Sequence, residues 1–235
     1  MEDNRDVPGG PDLPGRTVLI TGAARGIGSA IADRYRASGW RVLAPTRAEL
    51  ELADPASIDR YTSDPQHLAV DALVNNAGIN PIVPIPGLDE GNFIQALTVN
   101  LTAPLLLVKA VTPHMVRRGW GRIVNVSSIY SLIGREGRAA YSSSKAALNA
   151  LTRAAAIEFG QHNILVNAVL PGFVETDLTR KNNTPAQIAE LAANVPLRRL
   201  ADPGEIAPLA YFLGSDQNSY VNGQCIVIDG GFTCT

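Results

Sequence analysis

Cysteine, net charge and long apolar runs are all scarce in this sequence. Its two cysteines, Cys225 and Cys234, lie near the carboxyl end, so no disulfide framework is expected and a reducing cytoplasm is favoured. Twenty basic and 22 acidic residues leave a net charge of -2, with no Lys/Arg run longer than a pair. Nucleic acid and anionic membrane are therefore not expected as partners. No apolar stretch approaches the roughly 20 residues of a membrane span, and the acidic start lacks the apolar core of a secretory signal.

What the chain does contain is the composition of one large globular unit. Hydrophobic residues make up 46% and charged residues 18% of its 235 residues, a balance that supports a continuous buried core. Residues 1–15 are rich in proline and glycine, which predicts a flexible lead-in. Residues 16–235 are expected to form a single domain without an internal repeat.

Short runs of Val, Ile and Leu alternate with helical patterns, which predicts an α/β fold with a parallel sheet and helices on both faces. Seven strands are expected, at Thr17–Thr21, Arg41–Ala44, Glu49–Leu52, Ala72–Asn75, Arg122–Ser127, Leu165–Leu170 and Cys225–Asp229. Helices are expected near Ile27–Ser38, Pro55–Tyr61, Glu90–Lys109 running on toward Arg117, Tyr141–Phe159, Thr184–Asn194 and Pro203–Gly214.

Two places in this pattern are irregular. Pro104 falls inside the third helix and predicts a kink or a junction there. Only a few residues after Arg47 join the second strand to the third, too few for a crossover helix of any length.

A glycine-rich loop follows the first strand. Its glycines, Gly22, Gly26 and Gly28, have the spacing T-G-x-x-x-G-x-G. Gly22 permits a tight exit from the strand, and the other two let the backbone approach a pyrophosphate. The helix beginning near Ile27 would point its amide dipoles at the phosphates. A plain strand-to-helix turn is the alternative interpretation.

The end of the second strand bears on the choice of cofactor. An acidic residue there would bind the ribose 2′-hydroxyl of NAD, whereas this chain has Thr46 and Arg47, with Arg25 available from the glycine loop. Guanidinium groups bind a 2′-phosphate through charge-assisted hydrogen bonds, so NADP(H) is favoured and NAD(H) remains possible. Both arginines could instead be solvated surface residues, and Glu49 is a rival ribose ligand.

A proton-transfer group is predicted from Tyr141 and Lys145, four residues apart on one helical face. A phenol has a pKa of about 10, and an adjacent ammonium together with an oxidised nicotinamide would lower it. Tyr141 would then protonate a carbonyl oxygen or accept the proton of an alcohol. Ser128 ends a buried strand and could donate to the same oxygen, with Ser127 as the alternative hydroxyl.

With these motifs in this order, residues 16 to 235 resemble the short-chain dehydrogenase/reductase superfamily. Asn75-Asn76-Ala77-Gly78 is similar to the family's NNAG element, which supports the adenine ribose, so Asn75, Ala77 and Gly78 are candidate cofactor ligands. Asn100 matches the family's active-site asparagine, which holds a water linking Lys145 to solvent. Pro171, Gly172, Val174 and Thr176 match a segment that contacts the nicotinamide carboxamide, and Ile228-Asp229-Gly230-Gly231 resembles the closing strand.

The resemblance implies a fold, an assembly and an active site. The fold would be a Rossmann-type doubly wound sheet of about seven strands in the order 3-2-1-4-5-6-7, forming a single dinucleotide-binding catalytic domain. The catalytic residues would be Asn100, Ser128, Tyr141 and Lys145, and the assembly a homotetramer or homodimer.

The stretch from Pro171 to Thr179 looks most like 3-oxoacyl-[acyl-carrier-protein] reductases. Arg117 and Arg118 lie where such enzymes dock an acidic carrier protein, but a second basic position is matched only by His162. The expected activity is an NADP(H)-dependent interconversion of a ketone and a secondary alcohol, with a 3-oxoacyl thioester as one candidate ketone. A sugar, polyol or other small-alcohol dehydrogenase is the alternative, and a non-catalytic NADP-binding regulator is less favoured. The three histidines are scattered, so catalysis is expected to need no metal.

Overall fold

The computed structural model describes residues 15–234, so the predicted lead-in lies outside the described residues except for Gly15. A parallel sheet of six strands runs through the described part of the chain in the order β2-β1-β3-β4-β5-β6. The strands are β1 Thr17–Ile20, β2 Arg41–Leu43, β3 Ala72–Asn75, β4 Gly121–Val126, β5 Ile164–Pro171 and β6 Cys225–Ile228. This is the Rossmann-type arrangement that the sequence predicted.

Helices cover both faces of the sheet. They are α1 Gly26–Ala37, α2 Pro55–Thr62, α3 Pro65–Leu68, α4 Glu90–Leu97, α5 Ala103–Arg118, α6 Ala139–Phe159, α7 Asp177–Asn182, α8 Pro185–Asn194 and α9 Pro203–Leu213. The six predicted regions cover seven of these helices, because one prediction spans both α4 and α5, and the short helices α3 and α7 were missed.

Each strand buries alternate side chains on opposite faces, because successive residues of a strand point in opposite directions. In β1, Leu19 joins the core beneath α2, α5 and α6, while Val18 and Ile20 join the core beneath α1 and α9. The central strands β1, β3, β4 and β5 are buried along their whole length. This explains why their sequences are nearly continuous in Val, Ile and Leu.

The predicted third strand at Glu49–Leu52 is wrong, and the sheet has six strands where seven were expected. Thr46 begins a turn here, since its carbonyl accepts hydrogen bonds from the amides of Glu49 and Leu50. Leu50 and Leu52 are buried against the core, which produces the alternation that resembled a strand. Parallel strands need a crossover of about a dozen residues, and the link after β2 is too short to return the chain to the sheet edge.

The predicted helix Glu90–Lys109, running on toward Arg117, is interrupted at the junction that Pro104 indicated. Between α4 and α5 lies a π-helical turn, Thr98–Thr102, and Pro104 occupies the first turn of α5. By length and composition this helical run is apolar enough to cross a membrane, a test that core helices also pass. Its fully buried residues Leu107, Val111 and Met115 pack into the core beneath the sheet.

Candidate active site

A cavity of about 360 Å³ opens at the carboxyl ends of the strands. It lies beside the ends of the neighbouring strands β1 and β3, where the chain after β1 leads to one edge of the sheet and the chain after β3 leads toward the other. Doubly wound folds bind their ligands at this position. Its lining includes the predicted site residues Gly22, Arg25, Gly26, Ile27, Gly28, Ala77, Gly78, Ser128, Tyr141, Lys145, Pro171, Gly172, Val174 and Thr176. The sequence therefore predicted residues from five separate segments that the fold brings together.

The glycine loop leaves no room for side chains at two of its positions. A Cβ on Gly28 would lie 2.3 Å from the carbonyl oxygen of Gly22, and Gly22 itself adopts a left-handed φ of +67°. The loop can therefore fold tightly against β1 while α1 points its amino-terminal amides into the cavity. A cradle of backbone amides at a helix amino terminus fits the pyrophosphate of a dinucleotide.

Hydrogen bonds join this loop to the segment after β3. The hydroxyl of Thr21 accepts from the backbone amides of Asn76 and Ala77, both at 3.1 Å. The side chain of Asn76 donates in return to the carbonyls of Thr21 at 3.0 Å and Gly22 at 3.2 Å. Thr21 and Asn76 were quoted as parts of their motifs but were not predicted as site residues, and they fix the two walls of the cradle.

Tyr141 lies in the first turn of α6 beside Ser128, at the end of β4. A side-chain hydrogen bond from Ser128 and the nearby guanidinium of Arg138 both lower the pKa of Tyr141, but burial outweighs them and raises that pKa above its ordinary value. The net direction is opposite to the lowering expected from a neighbouring ammonium. Tyr141 therefore holds its proton firmly, as a proton donor to a carbonyl oxygen must until the oxygen becomes basic.

Lys145 lies one helical turn beyond Tyr141 and is almost completely buried. Its ammonium donates to the carbonyl oxygen of Val126 at 2.7 Å and lies 5.8 Å from the centre of the Tyr141 ring. Burial lowers the pKa of Lys145 to about 8. The hydroxyl of Ser127, the alternative to Ser128, donates to the backbone carbonyl of Lys145 and does not contact Tyr141 in any described bond.

Asn100 lies in the π-helical turn and is completely buried. Its side-chain oxygen accepts from the amide of Ile79, and its side-chain nitrogen donates to the carbonyl of Ile79 and to the hydroxyl of Ser144, each at 2.9 Å. The hydroxyl of Ser144 donates onward to the carbonyl of Tyr141. Asn100 thus holds the start of α6 in place without itself lining the cavity.

Three predicted cofactor residues also lie outside the cavity lining. Asn75 is buried and donates to Asn125 at 2.9 Å, within the sheet. Thr46 donates its amide and hydroxyl to the Glu49 carboxylate, and these bonds lower the pKa of Glu49. Arg47 is exposed and pairs with Glu51. Two of the three residues predicted to bind a 2′-phosphate, Thr46 and Arg47, are therefore engaged with neighbouring carboxylates.

Among the cavity residues that the sequence did not predict is a group between Ser128 and Tyr141. Tyr130 forms a wall: its ring centre lies 6.4 Å from that of Tyr141 and 6.3 Å from that of Phe173. Arg135 donates to the Tyr130 hydroxyl at 2.9 Å, and Arg138 lies over the Tyr130 ring. The sequence could have indicated these three residues as cavity residues, because they lie in the segment that joins the predicted catalytic residues Ser128 and Tyr141.

The predicted docking residues lie away from this group. Arg117 and Arg118 are exposed in the last turn of α5, with Arg118 4.0 Å from Asp71. His162 is in the short turn after α6. Across residues 15–234, no group of three or more His, Cys, Asp or Glu side chains is arranged to hold a metal ion.

Comparison with known families places these features in context. A profile described as enoyl-(acyl carrier protein) reductase matches residues 48–233, and one described as short chain dehydrogenase matches residues 16–64. The chain is 35% identical to the 3-oxoacyl-[acyl-carrier-protein] reductase FabG of Vibrio cholerae, over 94% of this chain and 98% of the relative.

Solved structures with the same fold include sugar-acid dehydrogenases. A protein assigned as an NAD(P)-dependent gluconate 5-dehydrogenase from Beutenbergia cavernae, with bound NADP, is 37% identical with a TM-score of 0.89, covering 96% of this chain and 100% of that one. A gluconate 5-dehydrogenase from Burkholderia cenocepacia, in complex with NADP and tartrate, is 28% identical with a TM-score of 0.84, covering 95% and 97%.

Proposed function

This chain belongs to the short-chain dehydrogenase/reductase family of oxidoreductases, and we propose that it interconverts a ketone and a secondary alcohol with NADP(H). The observation that supports this proposal most directly is the meeting of Ser128, Tyr141 and Lys145 with the glycine cradle around one cavity. Neither group of residues would suffice by itself. The glycine cradle alone would bind a dinucleotide without chemistry, and Tyr141 alone would have no hydride source.

In the proposed mechanism, the bound nicotinamide supplies or accepts the hydride. Gly22, Gly26 and Gly28 let the backbone hold the pyrophosphate, and Pro171 and Gly172 lie at the opposite wall. Tyr141 gives its proton to the carbonyl oxygen during reduction and takes it back during oxidation, while Ser128 shares the charge on that oxygen. Lys145 supports the phenolate electrostatically, and Asn100 positions the helix that bears both groups.

The NADP(H) preference rests on Arg25 and Arg47, which could bind a 2′-phosphate. The proteins similar to this chain that hold NADP agree with it. In this proposal Arg47 leaves Glu51 when the phosphate arrives, since an exposed ion pair is worth only about 0–1 kcal/mol. NAD(H) is the alternative cofactor.

The substrate candidates are a 3-oxoacyl thioester and a sugar, polyol or other small alcohol. Similarity to the FabG reductase favours the first, with Arg117 and Arg118 as the docking residues. Similarity to the gluconate dehydrogenases favours the second. Turnover of acetoacetyl thioesters, small ketones and polyols with each cofactor separates the candidates.

Replacement of Tyr141 with phenylalanine tests the mechanism. We expect the variant to lose at least about 100-fold in kcat for any ketone that the parent protein reduces, because the proton donor is gone. NADPH affinity, followed by quenching of protein fluorescence, should change by less than about threefold. Undiminished turnover in the variant would contradict the assigned proton donor, and binding of NADPH without turnover in the parent would favour the regulator.

The assembly is proposed to be a homotetramer or homodimer. Leu105 on α5 and Ile157 on α6 are 46% and 82% exposed, and large apolar side chains on long helices are typical of subunit contacts. Light scattering coupled to size-exclusion chromatography measures the mass, and a monomer at micromolar concentration would contradict the proposal.

A further inference from the structure

Arg138 is a buried cation without the partners that a buried cation needs. Its side chain borders the cavity, and the residue is only 8% exposed. Its Nε and Nη1 atoms are buried and have no hydrogen-bond partner among the described residues. A buried charge without hydrogen bonds costs several kcal/mol, so native structures rarely leave one without a compensating role.

A second buried arginine in the same molecule gives the comparison. Arg122 is 3% exposed, and its guanidinium donates to the carbonyls of Gly121, Asn163 and Asn218 at 2.8–3.1 Å. Its ring contact with Trp120 adds to these bonds. Arg122 is thus a structural arginine whose donors are satisfied by the fold, whereas the described contact of the Arg138 guanidinium is with the face of Tyr130, at 5.5 Å.

The local chain holds Arg138 beside the reacting group. Arg138 is the residue before α6, its amide donates to the carbonyl of Arg135, and its carbonyl accepts from the amide of Ser142. It precedes Tyr141 by three residues, a spacing that places both side chains on one side of the helix start. Its charge is felt at the Tyr141 hydroxyl, whose pKa it lowers.

The charges around the cavity favour an anion at this end. Arg135 lies next to Arg138 across Tyr130, and neither forms an ion pair with a described acidic side chain within 4 Å. Asp177 is the acidic residue among those that line the cavity. A carboxylate matches a guanidinium in charge and accepts its hydrogen bonds well.

We propose that Arg138 binds a carboxylate of the substrate, so that the enzyme acts on small oxo acids and their hydroxy acids. This inference rests on the proposed ketone–alcohol chemistry and names the substrate class for it. Tyr130 is a positioning residue, since its ring supports the guanidinium and its hydroxyl is held by Arg135. The hydride and proton still go to the carbonyl, and the carboxylate only anchors the molecule.

The test uses matched pairs that differ in one charge. Pyruvate, acetoacetate and levulinate are each compared with their methyl esters, with NADPH as reductant. For the best acid, we expect Arg138→Gln to lower kcat/KM by about 30- to 100-fold, mainly through KM, because ground-state and transition-state binding are lost together. The matching ester also loses the charge beside Tyr141 but has no carboxylate to release, so its fall should be at least about tenfold smaller than that of the acid. Arg36→Gln, which removes an exposed guanidinium on α1, should change neither.

Several results would overturn the assignment. An equal fall for acid and ester would show that Arg138 acts through the fold or through Tyr141 and not on a carboxylate, and an unchanged acid would remove it from substrate binding. Preference for dihydroxyacetone phosphate over every carboxylate, lost in Arg138→Gln, would assign the site to phosphate. In contrast, if kcat/KM for the acid in Arg138→Lys recovers to within about tenfold of the parent value, an electrostatic role of Arg138 is supported.

Failure of the proposed function is distinguished by direct binding. If no ketone turns over with either cofactor, titration calorimetry with succinate still tests the anion site. If Arg138→Gln binds succinate at least tenfold more weakly than the parent and Arg36→Gln do, the carboxylate site is supported even without turnover. Equal affinities would overturn it.

Discussion

Replacing Lys145 with methionine should make the protein more stable while removing its activity. Burial lowers the pKa of this ammonium from 10.5 to about 8, which at 1.36 kcal/mol per pH unit corresponds to a penalty of about 3 kcal/mol at neutral pH. Methionine has a similar length and no charge, so the penalty disappears. The lost charge-assisted bond to the carbonyl of Val126 offsets about 2 kcal/mol of that penalty. We expect a net gain of about 1 kcal/mol in the free energy of unfolding at pH 7.

The pH dependence of that gain identifies its cause. Between about pH 8 and 10.5 the unfolded chain binds more protons at Lys145 than the folded chain, so parent stability rises with pH across this window. Below pH 8 the group is protonated in both states and the penalty is constant. The advantage of Lys145→Met should therefore be flat from pH 6 to 8 and shrink by up to about 1.4 kcal/mol per pH unit above it.

Urea unfolding at fixed protein concentration, from pH 6 to 9.5, measures this difference. Lys181→Met, which removes an exposed ammonium on α7, is the matched control and should stay within about 0.5 kcal/mol of the parent. A Lys145→Met variant that is less stable than the parent, by an amount independent of pH, would refute the claim that this charge is costly to bury.

Three further substitutions test the cofactor site. Arg47→Asp should weaken NADPH binding by more than tenfold and NADH binding by much less, as measured by fluorescence titration; equal losses would exclude a 2′-phosphate role. Glu51→Gln frees Arg47 and should tighten NADPH binding by about two- to fivefold, the worth of an exposed ion pair, with NADH as the internal control. Gly28→Ala places a Cβ 2.3 Å from the carbonyl of Gly22, so cofactor affinity should fall more than tenfold and stability by about 1–3 kcal/mol. Gly134→Ala, where a Cβ meets nothing within 4 Å, is its control, and an unchanged affinity in Gly28→Ala would contradict the tight cradle.

The sequence predicted those strands and cavity residues whose place in the fold limits which amino acids can stand there. Strands buried on both faces must be apolar throughout, so β1, β3, β4 and β5 were evident. The glycine spacing was equally informative, because only glycine fits against the carbonyl of Gly22. The strand signal comes from burial on both faces of the sheet, and the glycine signal comes from a steric contact within one loop.

Where tertiary contacts decide, the sequence was less informative. Leu50 and Leu52 alternate as in a strand, yet their backbone turns and only their side chains reach the core. Asn75 belongs to a ligand-binding motif, but its amide is used inside the sheet by Asn125. Arg135 and Arg138 gave no periodic signal, because their significance depends on Tyr130 and on the cavity that they border.

The short turn after β2 has a consequence for remodelling this protein. In the described part of the chain the sheet ends there at a strand of three residues, several strands away from the proposed proton donor Tyr141. Residues 46–50 are therefore a natural insertion point, where a helix and one more strand could be spliced in to wall off the adenosine side. Such an enlargement should alter which dinucleotide is preferred and leave the proposed proton-transfer residues Ser128, Tyr141 and Lys145 unchanged.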